Sequence, residues 1–237
     1  GAIPRTALDD FAEDFQGVVE VIPEKVDFTY PGLPPASVAL PGGPVLMVMR
    51  SRFDAYLLSC SGAEVLDGAA VEEVAEGDSA VRVRVAGRTL SARYLVGADG
   101  ATSQVARALG LRAERQWGGT LEAEVPLAGK PELRCRYGHR AVFAFGVVPH
   151  GYAWVFPKAE VLSVGIGRFL PGRCNLRALL AREMDRLGIT LEGASLHGPG
   201  VGRATGPRSR CPPGVVCWSV TPPAWSIPSW VRGSATP

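Results

Sequence analysis

Much that would classify a chain at once is missing from these 237 residues. No CxxC pair occurs, and the five cysteines, Cys60, Cys135, Cys174, Cys211 and Cys217, are odd in number. That argues against a zinc site or a secreted disulfide framework and for a reducing, cytoplasmic compartment. No apolar run approaches the length of a membrane span. Neither sign of charge dominates: 25 Lys and Arg stand against 23 Asp and Glu, a net +2, so no basic field attracts nucleic acid. Histidine is scarce. His139, His150 and His197 have no supporting motif, so each reads as a surface or core residue and no general acid can be assigned. No signal peptide and no internal repeat are visible.

What is present is enough apolar material, 46%, for a sizeable core. Leu8, Phe11 and Phe15 are spaced for one face of a short helix after an opening turn. Five prolines within residues 18–43 favour extended structure and loops over helix. VLMVMR (45–50) reads as a buried strand and FDAYLLS (53–59) as a short helix. Residues 63–74 and 80–87 alternate as strands do, with a hairpin turn at Gly87-Arg88 into a strand over 89–99. Residues 119–169 carry five alternating segments, LRCRYG among them, which predict a mainly antiparallel sheet. Asn175 then caps a helix with Leu176, Leu179, Leu180, Met184 and Leu187 on one face. Residues 203–237 hold seven prolines and three tryptophans without periodicity, and no packed element is expected there.

YLVGADGATSQVARALGL (94–111) combines a strand, a Gly-Ala-Asp-Gly turn and a helix beginning near Thr102. Gly97 and Gly100 let backbone approach a ligand closely, and amides at the helix start favour an anion. Asp99 could orient a polar ligand group or simply cap the helix. Arg50, in VMRSRFDAYL (48–57), ends a strand. In GYAWVFPKAEVLSVGIG (151–167), Tyr152, Trp154 and Phe156 fall on one face of an alternating strand, with Pro157 next and Gly165 and Gly167 beyond. Such an aromatic wall is plain core or the lining of an apolar ligand site.

Together these strings resemble the geranylgeranyl reductase family of FAD-dependent oxidoreductases, on the hydroxylase-like flavoprotein fold. The stretch 94–111 resembles that fold's second FAD fingerprint, and 48–57 resembles its V-x-R-x-x-F-D-x-x-L pattern. Residues 151–167 resemble the reductases' Y-x-W-x-F-P…G-x-G signature, and Gly1-Ala2-Ile3-Pro4 resembles the end of their Cys-Gly-Gly turn. The resemblance implies an α/β (α+β) fold: a partial FAD-binding domain plus a mainly antiparallel substrate-domain sheet. It implies FAD contacts from Arg50, Asp99, Gly100 and Ala101. It implies a polyprenyl lipid or pigment substrate lined by Tyr152, Trp154, Phe156, Pro157, Gly165 and Gly167. The implied activity is reduction of carbon–carbon double bonds, with NADPH or ferredoxin as electron donor and possible peripheral membrane contact. A flavin monooxygenase or halogenase on the same fold shares Arg50 and Asp99-Gly100 but lacks the Tyr152–Pro157 signature.

Two departures from the family pattern bear on activity. The family needs Gly-x-Gly-x-x-Gly after its first strand to hold the FAD pyrophosphate, and no such string occurs here. Residues 203–237, translated in a shifted frame, can encode the family's expected Val-Gly-Asp-Ala-Ala-Gly continuation. The expected organisation is therefore a partial FAD-binding domain (1–118), a substrate-binding domain (119–202) and a frameshifted, poorly structured tail (203–237). On that view this chain alone is an inactive fragment.

Overall fold

A computed structural model describes the chain except at positions 10, 12, 101–102, 111–114, 171, 173, 199–200, 205–214 and 218–237. Strand β1 (Ala2–Pro4) leads into one 3-10 turn, Arg5–Ala7, in place of the short amphipathic helix expected there. Leu8, Phe11 and Phe15 still serve packing: Phe11 meets Phe15 edge-on at 5.7 Å between ring centres. Strands β2 (Val19–Val21), β3 (Lys25–Thr29), β4 (Ala36–Ala39) and β5 (Val45–Val48) follow, in keeping with the proline-rich composition. Helix α1 (Arg50–Cys60) begins directly after β5.

Next come β6 (Val71–Glu76), β7 (Val81–Val85) and β8 (Arg88–Ala92), an antiparallel meander. Its tight turn is Ala86-Gly87, one residue earlier than expected, with φ of 49° and 70°. Residues 63–70 are not strand, so β6 is shorter than the alternation suggested. The strand expected over 89–99 is two: β8 ends at Ala92, and β9 (Leu95–Gly97) belongs to another sheet. Helix α2 (Gln104–Ala108) then starts one turn past Gly100.

The second half holds β10 (Arg115–Pro126), α3 (Pro131–Tyr137), β11 (Arg140–Phe145), β12 (Gly151–Pro157), β13 (Val161–Arg168), α4 (Leu176–Arg186), β14 (Ser195–His197), β15 (Val201–Ala204) and β16 (Val215–Cys217). LRCRYG, read as a strand, is helical: Pro131 stands in the first turn, followed by Glu132, and both favour a helix start. Within the tail expected to form no element, Val215–Cys217 pairs in parallel with Leu95–Gly97. Trp218, Trp225 and Trp230 lie outside the described residues.

Contacts divide the described chain into two units: residues 1–62 with 119–200, and residues 63–118 with described parts of 201–221. The first unit is built on a sheet of order β14-β10-β13-β12-β11-β3-β4. It is antiparallel except that β3 runs parallel to β11. Its two faces have different work. Ala153, Val155, Val164 and Ile166 face α4, whose Leu180 and Met184 are fully buried against them. The Asn175 carboxamide caps α4 by accepting from the Ala178 N–H at 3.0 Å. The alternate side chains, Phe143 and Phe156 among them, face Met47 of β5 and Ala2 of β1, which with β2 form a small second sheet.

Candidate cofactor and substrate sites

In the second unit the Asp99 carboxylate is held by its own helix. One oxygen accepts from the Ser103 hydroxyl; the other accepts from the amides of Gln104 at 2.6 Å and Val105 at 3.1 Å. Ser103 in turn accepts from the Ala106 N–H at 2.9 Å, so acid and hydroxyl cap α2 jointly. Partial burial pushes the Asp99 pKa up, but the donors from Ser103, Val105 and Gln104 outweigh it and hold the group below its ordinary value. The ionised carboxylate offers about four acceptor positions. Donors within the chain, the Asp99 amide among them, engage both oxygens. Gly100 has a φ of 79°, and a Cβ there would meet nothing within 4 Å. That open, left-handed turn fits close approach of a dinucleotide. Ala101 lies outside the described residues.

Arg50 opens α1 in the first unit. Its guanidinium forks onto Asp54, with both N···O distances at 2.9 Å, and the side chain is 55% exposed. Its stem lies close to Gly1, where an added Cβ would come within 3.2 Å of Arg50 Cδ. Arg50 and Asp99 belong to different units, so each is a separate contact point.

The aromatic strand behaves as its alternation predicts. Tyr152, Trp154 and Phe156 share one face, with ring centres 6.1 and 6.2 Å apart along the row. Gly165 pairs with Trp154 across β13, and a Cβ on it would overlap the indole at 2.2 Å, so only glycine admits that ring. Gly167, opposite Tyr152, leaves space filled by Phe169 and Thr120. Pro157 is buried where β12 ends. Beside this row lies an apolar cavity of about 380 Å³, lined by Val26, Phe28, Met47, Phe143, Phe145 and Tyr152 among others. Tyr152 alone of the six expected substrate residues lines it; Trp154 and Phe156 pack in the adjoining core. Burial raises the Tyr152 phenol above its ordinary pKa, keeping it neutral.

Phe28, Phe143 and Phe145 were not singled out from the sequence, yet they stack at 5.9 and 6.3 Å along the cavity wall. The alternation in AVFAFG (141–146) carries Phe143 and Phe145 to one face. Phe28 joins them only through the parallel pairing Phe143↔Phe28, which local sequence does not encode. Lys158 was also missed: it directly follows the signature and is 2% exposed.

Residues 40–150 match the protein family described as FAD binding domain, in accord with FAD as the cofactor. Over 158 residues the chain is 30% identical to an uncharacterized protein of Methanosarcina barkeri (strain Fusaro / DSM 804), covering 65% of this chain and 40% of that protein. A salicylate hydroxylase substrate complex superimposes with a TM-score of 0.65 at 13% identity, over 91% of this chain and 64% of that one. A variant of the halogenase PltM in complex with FAD does so with a TM-score of 0.55 at 16% identity, over 80% of this chain and 45% of that one. The fold is therefore that of the hydroxylase-like FAD flavoproteins, mixed α/β as expected. The chain spans less than half the length of the curated relative it matches. Among the described residues no helix is long and apolar enough to cross a membrane.

Proposed function

We propose that the whole protein is an FAD-dependent oxidoreductase that acts on a hydrocarbon-rich substrate and reduces its carbon–carbon double bonds, a polyprenyl chain being the substrate class. The observation that carries this reading is the cavity beside Tyr152, whose lining is apolar apart from that residue's hydroxyl. A site without polar partners gains affinity from buried apolar surface and penalises ligands whose polar groups it leaves unpaired. The Tyr152–Pro157 signature supports the same substrate class.

Asp99, Gly100 and Arg50 would hold the cofactor: the first through its ionised carboxylate, the second through its open turn, the third through its exposed guanidinium. FAD, when bound, supplies the redox chemistry. The chain's own contribution is to position the alkene, to exclude water from the aromatic cavity and to keep Tyr152 protonated within it.

A second reading, a flavin monooxygenase or halogenase, is favoured by the fold's likeness to a hydroxylase and a halogenase. Likeness of fold leans toward this second reading for the reaction, and the apolar lining leans toward the first for the substrate. Product analysis separates them. Full-length protein is incubated with FAD, NADPH, oxygen and a geranylgeranyl substrate, and products are weighed by mass spectrometry. Gain of hydrogen pairs supports reduction. Gain of oxygen, or of halogen when halide is supplied, overturns it in favour of the second reading.

A further inference from the structure

Lys158 is the residue in this fold whose chemistry the proposed function leaves unused. It follows the aromatic strand immediately, at the start of the turn from β12 to β13, and its own N–H closes that turn onto the Val161 carbonyl at 2.9 Å. A lysine this enclosed is uncommon, because taking an ammonium out of water is costly unless its protons are matched. Here two of the three are matched, both by backbone carbonyls. Nζ donates to the carbonyl of Gly1 at 2.5 Å and to the carbonyl of Val48 at 2.6 Å. The Val48 N–H donates to that same Gly1 carbonyl at 3.0 Å, so the lysine grips the point where the chain's first strand meets the end of β5.

That grip has a direction. Val48 ends β5, Met49 is the N-cap of α1, and Arg50 is the helix's first residue. The Gly1 backbone that Lys158 holds also lies against the Arg50 stem. On its other side, Lys158 is continuous with Phe156 and Pro157 of the aromatic wall. One side chain therefore ties the substrate-facing strand to the junction that aims the cofactor-facing arginine. No other hydrogen bond described here links the β12–β13 turn to that junction; Ala159 in the turn reaches β2 instead, through Glu20 at 3.4 Å.

We propose that Lys158 is a positioning residue that fixes the β5–α1 junction, and through it Arg50, against the aromatic strand. This rests on Arg50 holding FAD, as argued above. The role requires no contact between Lys158 and flavin or substrate; it is exerted through the Val48 and Gly1 carbonyls.

The test is a double-mutant cycle on FAD affinity in the full-length protein, read by flavin fluorescence. Lys158→Met keeps the length and removes the donors. In the Arg50 background it should weaken FAD binding about tenfold, and in the Arg50→Ala background less than about twofold. Lys158→Arg, which retains donors, should recover most of the affinity. Additive losses would overturn the proposal, because a merely structural lysine weakens binding whatever stands at position 50. Loss of folding in both Lys158 variants, by circular dichroism, would likewise overturn it and leave Lys158 as a fold clamp. If Arg50→Ala by itself leaves FAD affinity unchanged, the assignment of Arg50 fails, and this inference falls with it. Weakening by Arg50→Ala combined with additivity sinks only the inference.

Discussion

At the scale of single residues, burial and hydrogen bonding set the charge states that matter. Burial lowers the Lys158 pKa from 10.5 to about 8, against the raising influence of Glu122 and Glu20. A group whose folded pKa is depressed in this direction binds fewer protons folded than unfolded between those two values, so stability rises with pH there. Relative to Lys158→Met, the native protein should gain stability as pH rises from 8 to 10.5. Denaturant melts across that range measure it, and a flat difference would show the lysine to be solvated. Asp99 gives a slope of the same sign, at acid pH. Its pKa is depressed below 3.8, so its stabilisation is complete above the unfolded value and is lost as pH falls through the folded one. Asp99→Asn should therefore lower the melting temperature at pH 7 and make little difference in strong acid. The cap itself is worth about 0.5–2 kcal/mol. Gly165 tests the indole's seat: Gly165→Ala puts a methyl into Trp154 and should cost about 1–3 kcal/mol, with a shift in tryptophan emission.

At the scale of elements, β12 and α4 were legible because period and caps agreed. Aromatics recur at every second position in β12, and Asn175 precedes a helical apolar stripe. LRCRYG misled because its short alternation of apolar and charged residues fits a strand as well as a helix. Pro131 and Glu132, just ahead of it, held the decisive signal. The strand predicted over 89–99 broke at Arg93-Tyr94, since one continuous sequence pattern served two sheets. The β7–β8 turn carries its own test. Ala86 has a φ of 49°, a region that costs an alanine about 1 kcal/mol. Asparagine suits the first position of such a turn. Ala86→Asn should raise stability by several tenths of a kcal/mol; a lower melting temperature would mean the alanine side chain is needed where it stands.

At the scale of the whole molecule, the property to test is the filling of the apolar cavity. Ala141 lines it and is 3% exposed, so Ala141→Phe should occupy the space. In the full-length protein that change should weaken binding of an apolar probe or prenyl substrate by tenfold or more, with FAD content unchanged. Equal loss of both would show a general folding defect. Local sequence by itself determined the strand–turn–helix order of 94–111, the common face of Tyr152, Trp154 and Phe156, and the capped helix after Asn175. Each depends on spacing within one short stretch of chain, where backbone period and turn residues dictate the geometry. Only the tertiary structure decided that β3 would carry Phe28 against Phe143, that Met47 would close the cavity, and that Lys158 would reach Val48 across 110 residues of chain. Those contacts join segments far apart in sequence. Their partners are chosen by strand pairing and burial, which leave no periodic trace in either segment alone.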